Sequence, residues 1–392
     1  MNNNILNTGV QSFIDSNLTT DIVSVLLKEH RFIGVSSKEV AQQIEAKNKC
    51  KEKLPTWFET PLIYYPRKLN IEQTSSEITA RYKSEIAVGK SLLDLTGGLG
   101  VDSYYFSKEI GRILHCEIAP EVAEIAAYNF KILGRNNIET LAVDGLEFLK
   151  KSDSQFDWIY VDPSRRNDAK GKVFLLADCL PNVPGNLDIL FGSAQNIMIK
   201  TAPLLDISAG IKELRYVKEI HIIAVKNEVK ELLWILENGH NGEVIIKTVN
   251  LIGSTREVFN FAFSSEQTAS PSFSKPLNYL YEPNSAILKS GAFKTVAERF
   301  DINKLHEHSH LYTHDQLLDF PGRRFKIEGI LPYNKKSVQA LGINKANITT
   351  RNFPVSVSEI RKKFKIKDGG DLYLFFTTNE EGNKIILSCS KA

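Results

Sequence analysis

The stretch LLDLTGGLGVD, residues 92–102, decides how this chain is read. An apolar run ends in Asp94, a loop follows with glycines at Gly97, Gly98 and Gly100, and a helical pattern begins at VDSYYFSKE. Strand, glycine loop and helix in that order is the context in which a backbone cradles a phosphate or a nucleoside. Glycine lets the ligand approach the backbone closely. The spacing is not G-x-G-x-x-G, because Ser103 stands three residues after Gly100. Asp94 would repel a pyrophosphate but attract the ammonium of an amino acid.

Working outward, short apolar runs recur at 91–96, 112–118, 138–143, 156–161, 196–201 and 219–225. The patterns VDSYYFSKE, PEVAEIAAYNFKIL and NEVKELLWILENG lie between or after them and read as helices. Strands separated by helical patterns imply parallel βαβ units and a doubly wound sheet. EVFNFAFSS, 257–265, is expected to close that sheet as its last strand. Upstream, TTDIVSVLLKEH and SSKEVAQQIEAKNKCKEKL are helical, the second opened by a Ser36/Glu39 capping box. QTSSEITARYKSEIA announces a further helix, with Thr74 and Glu77 at the same spacing.

The strand ends carry the chemistry. Glu117 closes the second run at the offset where an acid grips ribose hydroxyls, and Asp144 with Gly145 closes the third, where a carboxylate can accept from an adenine amine. An aspartate after a strand is also a common helix cap. Three successive acids with glycines between them describe a pocket for a nucleoside bearing a cationic amino acid, which is S-adenosylmethionine. Asp162 and Pro163 follow at the fourth strand end, continuing as Ser164, Arg165 and Arg166.

On these motifs, residues 73–264 resemble class I S-adenosylmethionine-dependent methyltransferases, with DLTGGLGVD, HCEIAPEVAEIAAYN, VDG and VDPSRR similar to their first four motifs. EQTSSEITARYKSEIA is similar to the helix that covers the methionine end of the cofactor in the nucleic-acid amine branch. The whole chain resembles a bacterial methyltransferase family with a C-terminal THUMP-like domain, through YLYEPNSAILKSGAF, FPGRRF and NITTRNFPVSVSEIRKKFKIKDGGDLYLFFT. The implied architecture is α/β: a Rossmann-like domain with a mostly parallel seven-stranded sheet, an N-terminal helical region and a C-terminal α+β THUMP-like module. The corresponding boundaries are 1–70, 71–265, 277–325 for a small ferredoxin-like connecting domain, and 326–392. The Ser/Pro-rich stretch 264–276 reads as the linker.

The resemblance implies a cofactor site of Gln73, Thr74, Ser75, Asp94, Thr96, Gly97, Gly98, Gly100, Asp102, Glu117, Ile118, Asp144, Gly145 and Asp162. The reactive end would be Asp162, Pro163, Ser164 and Arg165. In amine methyltransferases the aspartate and nearby carbonyls orient an exocyclic amine, and an aromatic residue stacks on the base. Here Arg165 takes the aromatic position; its guanidinium can stack on a base or fork onto a phosphate. Arg166 reads instead as one half of a surface ion pair with Asp168 or Asp157. Lys200 and Asp206 flank the fifth strand end and are candidates for the same cleft.

Net charge is +3, yet residues 321–367 hold twelve Lys and Arg against Glu328 and Glu359, leaving the remainder at −7. Such a split points to a polyanion partner. Phe325, Tyr333, Phe353 and Phe364 are interleaved with the cations, as where phosphates are neutralised and bases stack. Arg323, Arg324, Arg351, Arg361, Lys362 and Lys363 are the candidate substrate contacts. With the THUMP-like resemblance, the expected partner is a transfer or ribosomal RNA. Two other readings stay open: a methyltransferase of proteins or small metabolites, and an inactive RNA-binding protein.

The four cysteines, Cys50, Cys116, Cys179 and Cys389, form no C-x-x-C pair, and although His310 and His314 in HEHSHLYTH (histidines 306, 308, 310, 314) have helical spacing, no acid or cysteine completes a recognisable ligand signature with them. No metal is expected. MNNNILNTGVQ lacks a signal-peptide pattern and no apolar run approaches membrane-span length, so the expected compartment is the cytoplasm.

Overall fold

The computed structural model describes residues 1–27, 32–165 and 175–392, with the side chain of Arg165 left out. Two compact units divide the chain, Met1–Val217 with Leu233–Asn241, and Lys218–Leu232 with Gly242–Ala392. No helix among the described residues is long and apolar enough to cross a membrane.

The first unit opens with α1 (Thr8–Ser16), α2 (Ile22–Leu27), α3 (Ser37–Lys53), α4 (Pro55–Glu59), α5 (Lys68–Gln73) and α6 (Glu77–Ile86). The Ser36/Glu39 capping box starts α3 as its spacing predicts. The second predicted box does not form. Ser76, not Thr74, caps α6, and Glu77 turns to the N–H and hydroxyl of Thr56 (2.6 and 2.8 Å) and the hydroxyl of Tyr105 (2.6 Å). A buried carboxylate is better satisfied by three donors than by one.

These helices share one apolar core with the next two, α7 (Val101–Phe106) and α8 (Pro120–Ile132), through Ile44, Trp57, Tyr105 and Phe130. The strands they accompany are β1 (Gly89–Asp94), β2 (Ile110–Cys116), β3 (Ile138–Leu141) and β4 (Phe156–Val161), with α9 (Gly145–Lys150) after β3. β1 pairs parallel with β2 and β4, and β2 with β3, which puts their carboxyl ends in one row. Two short strands follow, β5 (Ser164–Arg165) and β6 (Cys179–Leu180), paired with each other. Then come α10 (Leu187–Ser193), β7 (Ala194–Thr201), α11 (Ile207–Glu213), β8 (Val217–Val225), β9 (Glu228–Glu237), β10 (Ile245–Ile252) and β11 (Thr255–Ala262).

The main sheet runs β11-β10-β8-β9-β7-β4-β1-β2-β3. It holds nine strands where seven were expected: β11 is the predicted last strand, and the two strands not foreseen are β9 and β10, the latter pairing β11 to β8. NEVKELLWILENG, read as a helix, is β9. Residues 231–236 are all buried, and a strand buried on both faces gives the same apolar run as a buried helix segment. The signal lies before it. Lys226 and Asn227 both have positive φ (51° and 64°), the two-residue turn of a tight hairpin.

The second sheet runs β13-β14-β12-β15-β18-β17-β16, from β12 (Tyr279–Pro283), β13 (Asn303–Lys304), β14 (Tyr312–His314), β15 (Gly322–Pro332), β16 (Asn347–Arg351), β17 (Tyr373–Thr378) and β18 (Lys384–Lys391). Along β17 and β18 the side chains alternate between two cores. Phe375 and Leu387 join Leu280 and Phe325; Leu374, Phe376 and Ile386 join Val338 and Ile360. Asn379 and Gly382 close the β17–β18 turn within NEEGN. The supposed linker is pinned rather than free: Glu266 accepts from the N–H groups of Lys294 and Thr295, and residues 272 and 274 bond to Lys304.

His310, between β13 and β14, stacks on Phe293 with ring centroids 3.6 Å apart. Burial, then Lys304 and Arg351, pushes its pKa down to about 4. In the unfolded chain an imidazole titrates near 6.5. The unfolded state therefore binds the proton first, and stability is lost as pH falls from about 6.5 toward about 4. With the ring only half buried, the loss is about 1–2 kcal/mol after allowance for solvent screening. His310→Asn, which tolerates the positive φ of this position, is expected to flatten that part of a melting-versus-pH curve.

Candidate functional site

A pocket opens at the carboxyl ends of β1 and β4, lined by Asn70, Gln73, Thr74, Ser75, Thr96, Gly97, Gly98, Leu99, Val101, Asp102, Tyr160 and Asp162. The sequence pattern places Gln73–Ser75, the glycine loop, Asp102 and Asp162 in one site, and the fold brings these to one cavity. The α5–α6 corner forms one wall and the loop after β1 another.

The glycines divide their work. A Cβ on Gly97 would lie 2.2 Å from the His115 ring, and one on Gly100 2.2 Å from Phe130, so these two let the loop sit down on buried rings. Gly98 has φ +58°, and a Cβ there would make only an ordinary contact, 3.9 Å from the Thr96 carbonyl. Gly100→Ala combines left-handed strain with overpacking and is expected to cost about 2–5 kcal/mol, whereas Gly98→Ala carries only the strain, about 1–2 kcal/mol. Thermal melts of the two variants check the order.

Asp94 lies under the loop, 1% exposed. One oxygen accepts from the Thr96 N–H (3.1 Å) and the other from Ser103 Oγ (2.6 Å), with His115 Nδ1 at 3.6 Å. It shapes the loop and is not in the pocket wall. Glu117 reaches back to the same loop, accepting from the N–H groups of Gly98 and Ala119, both at 2.7 Å. Each oxygen keeps a lone-pair direction for another donor. Asp144 is the N-cap of α9, accepting from Leu146 and Glu147 through Oδ1. Gly145 is required by close approach, since a Cβ there would meet the Leu95 carbonyl at 2.8 Å. Ile118 is 69% exposed and Val143 38% exposed, each two residues beyond the paired Cys116 and Leu141.

Sequence reasoning missed the floor of this pocket. Lys83 on α6 is fully buried; its Nζ donates to Ser75 Oγ (2.7 Å) and pairs with Asp102 Oδ1 (2.9 Å). Asp102 Oδ2 accepts from Ser75 Oγ (2.7 Å) and from the Tyr160 hydroxyl (2.8 Å). Burial alone would push the Asp102 carboxyl up. The Lys83 ammonium, then Lys200 and the hydrogen bonds from Lys83 and Ser75, outweigh it and hold the pKa below the usual value. The available signal was spacing: Lys83 stands four residues after Thr79, on the buried face of α6.

At the mouth, the Asp162 N–H donates to Thr96 Oγ1 (2.7 Å), and Asp162 Oδ2 accepts from Lys200 Nζ (2.6 Å). Lys200, a candidate for this cleft from its place at the fifth strand end, pairs with the aspartate. Asp206 instead caps α11. Pro163 is buried and Ser164 exposed, with Ser164 opposite Leu180 in the β5–β6 ladder. Arg166, Asp168 and the side chain of Arg165 lie outside the described residues.

The basic segment is rearranged relative to expectation. Glu282, with its side chain 3% exposed, accepts from Arg323 Nε (2.6 Å) and from Arg351 Nε and NH2 (3.0 and 2.8 Å). Arg324 pairs with Asp319, and Arg361 with Asp368. A count over 321–367 misses all three acids: Asp319 and Asp368 fall just outside it, and Glu282 comes from β12, far earlier in the chain. Guanidinium forks seek planar acceptors, so these four arginines brace the fold. Lys362 and Lys363 are exposed, as are Lys335, Lys336, Lys345, Lys365 and Lys367. Phe325 is buried against Tyr373 and Phe375 and cannot stack on a base; Tyr333, Phe353 and Phe364 are half-buried and pack on one another.

Two family models match the chain, a ferredoxin-like domain over residues 279–321 and a THUMP domain-like module over 322–391. No curated relative matches the sequence. A crystal structure of a candidate methyltransferase from Porphyromonas gingivalis W83 is 33% identical, covers 99% of this chain and 98% of its own, and superposes with a TM-score of 0.91. A tRNA m1G37 methyltransferase from M. jannaschii is 15% identical over 42% of this chain and 50% of its own, with a TM-score of 0.30. A candidate methyltransferase from Streptococcus mutans in complex with SAH is 11% identical over 41% of this chain and 96% of its own, at 0.29. Likeness at that level carries nothing about substrate. On the full-length match and the two C-terminal modules, this chain belongs to the family of class I methyltransferases with a C-terminal THUMP-like domain.

Proposed function

We propose that the protein uses S-adenosylmethionine to methylate an exocyclic amine of a base in structured RNA, a transfer or ribosomal RNA. The observation that carries this reading is the single cavity in which the glycine loop, the α5–α6 corner and Asp162 meet. Its donor set fits the cofactor. Asp102, its carboxylate held by Lys83, Ser75 and Tyr160, supplies the negative charge in the pocket wall for the ammonium, a role that Asp94, outside that wall, is badly placed to fill. Glu117 has lone pairs for ribose hydroxyls, Ile118 and Val143 offer apolar faces to an adenine, and Asp144 Oδ2 is left by the cap for an amine donor. The bound cofactor supplies an electrophilic methyl on a sulfonium.

The protein's part is then to place the acceptor. Asp162 Oδ2 is held by Lys200, which fixes the carboxylate and leaves Oδ1 to accept from the amine. Aligning the nitrogen lone pair in this way needs little acid or base strength, because the gain comes from holding donor and acceptor in line. The nucleotide would reach the cleft from a loop or by flipping. The exposed lysines of the THUMP-like module supply phosphate contacts, and such a module reads shape more than sequence.

The test is incubation with methyl-labelled cofactor and total RNA. Label in nuclease-sensitive material supports the reading. Label confined to protein or small molecules would overturn the substrate, and failure to bind S-adenosylhomocysteine in calorimetry would overturn the cofactor.

A further inference from the structure

Three cations from three different elements converge on the methyltransferase domain, at the opposite end of α7 from Asp102. Lys108, two residues past α7, holds its Nζ 4.7 Å from the Tyr104 ring centroid and 4.3 Å from that of Tyr105. Arg135, past the end of α8, holds its guanidinium carbon 5.1 Å from Tyr104, and Arg81, within α6, 5.9 Å from Tyr105. The two ring centroids are 5.1 Å apart, which puts both guanidiniums within about 10 Å of the ammonium. Arg81 and Lys108 are exposed and Arg135 is half-buried.

Among the described residues none of the three has a carboxylate within ion-pairing distance. The acids that act on Lys108 are Glu77, whose carboxylate is occupied by Thr56 and Tyr105, and the exposed Glu109 beside it in sequence. Arg135 Nε is buried without an acceptor, and its guanidinium lies over the Tyr104 ring. Burial first, then the nearby Arg135 and Arg81, pushes the Lys108 pKa down against the opposing pull of Glu77 and Glu109.

Cations past helix ends complement the helix dipole, which accounts for Lys108 and Arg135 taken singly. It does not account for Arg81, which lies inside α6, nor for gathering three cations around one buried acid, Glu77, whose carboxylate Thr56 and Tyr105 occupy. Tyr104 and Tyr105 are 6% and 1% exposed, so a base cannot stack there; the rings only fix the charged heads. We infer that Arg81, Lys108 and Arg135 form a phosphate-binding site that grips the RNA backbone at a point on the methyltransferase domain, separate from the cofactor pocket and from the THUMP-like lysines. This rests on the RNA reading above. It adds a backbone grip on the catalytic domain itself, where positioning, not base readout, is the task.

The experiment titrates the full chain with bulk transfer RNA at several salt concentrations, comparing wild type with the Arg81→Gln/Lys108→Gln/Arg135→Gln variant. The slope of log K against log salt is expected to become shallower by about 2, roughly 0.7–0.9 for each phosphate that the variant no longer neutralises. S-adenosylhomocysteine affinity is expected to stay unchanged. If the triple variant melts early, Lys108→Gln alone should reduce the slope by about 0.7–0.9 while Lys108→Arg keeps it. Wild type that binds RNA with a slope equal to the variants overturns this site and leaves the RNA reading standing. Wild type that binds no RNA overturns both.

Discussion

Asp162→Ala is expected to lower methyl transfer by at least about 10²-fold, with S-adenosylhomocysteine affinity changed little, because misplacing a reacting atom by about 1 Å already costs that much. Asp162 is the first residue past β4; its N–H is tied to Thr96 Oγ1 and its Oδ2 to Lys200, so its carboxylate is fixed from two sides at the pocket mouth. Alanine removes the acceptor and leaves the Lys200 ammonium without that partner. Asp162→Asn keeps an oxygen in the same place and should retain more turnover than alanine. Single-turnover rates with saturating cofactor separate the chemical step from binding. Equal loss in both variants would mean that charge, not an acceptor in position, is what the reaction needs.

Lys83→Met should be the most damaging of the pocket-floor substitutions. It leaves Asp102 buried without its nearest cation, and breaking a buried ion pair by removing one partner costs about 3–5 kcal/mol. Ser75 loses a donor at the same time. Replacing the pair together, as Lys83→Met with Asp102→Leu, removes the stranded charge and should recover most of the stability. Cofactor affinity should stay low in the double variant, since Asp102 faces the pocket. Denaturant melts alongside calorimetry report the two quantities independently. Recovery of both would show that the pair serves packing alone.

The site is largely legible in the sequence because each of the first four strands announces its end with an acid, and Gly97, Gly98 and Gly100 mark the loop between the first two. What spacing does not reveal is which groups turn inward. Asp94 and Asp102 bracket the same loop, yet only Asp102 reaches the pocket, because Ser103 and His115 pack beneath and hold Asp94 down. Lys83 is marked only by its four-residue spacing from Thr79, a weak signal because a lysine on an amphipathic helix ordinarily faces water. β9 passes for a helix because burial on both faces erases the two-residue alternation. A charge count overvalues the arginines of the basic segment because ion pairs are made in space: Glu282 comes from β12, 41 residues before its partner Arg323.

The proposed reaction is methylation of an RNA base at the Asp162 end of this pocket. Mass spectrometry of nucleosides from transfer and ribosomal RNA of cells with and without the protein tests it most directly. The expected result is one methylated nucleoside lost on deletion, restored by the wild-type chain and not by Asp162→Ala. Identical nucleoside profiles in all strains would contradict it.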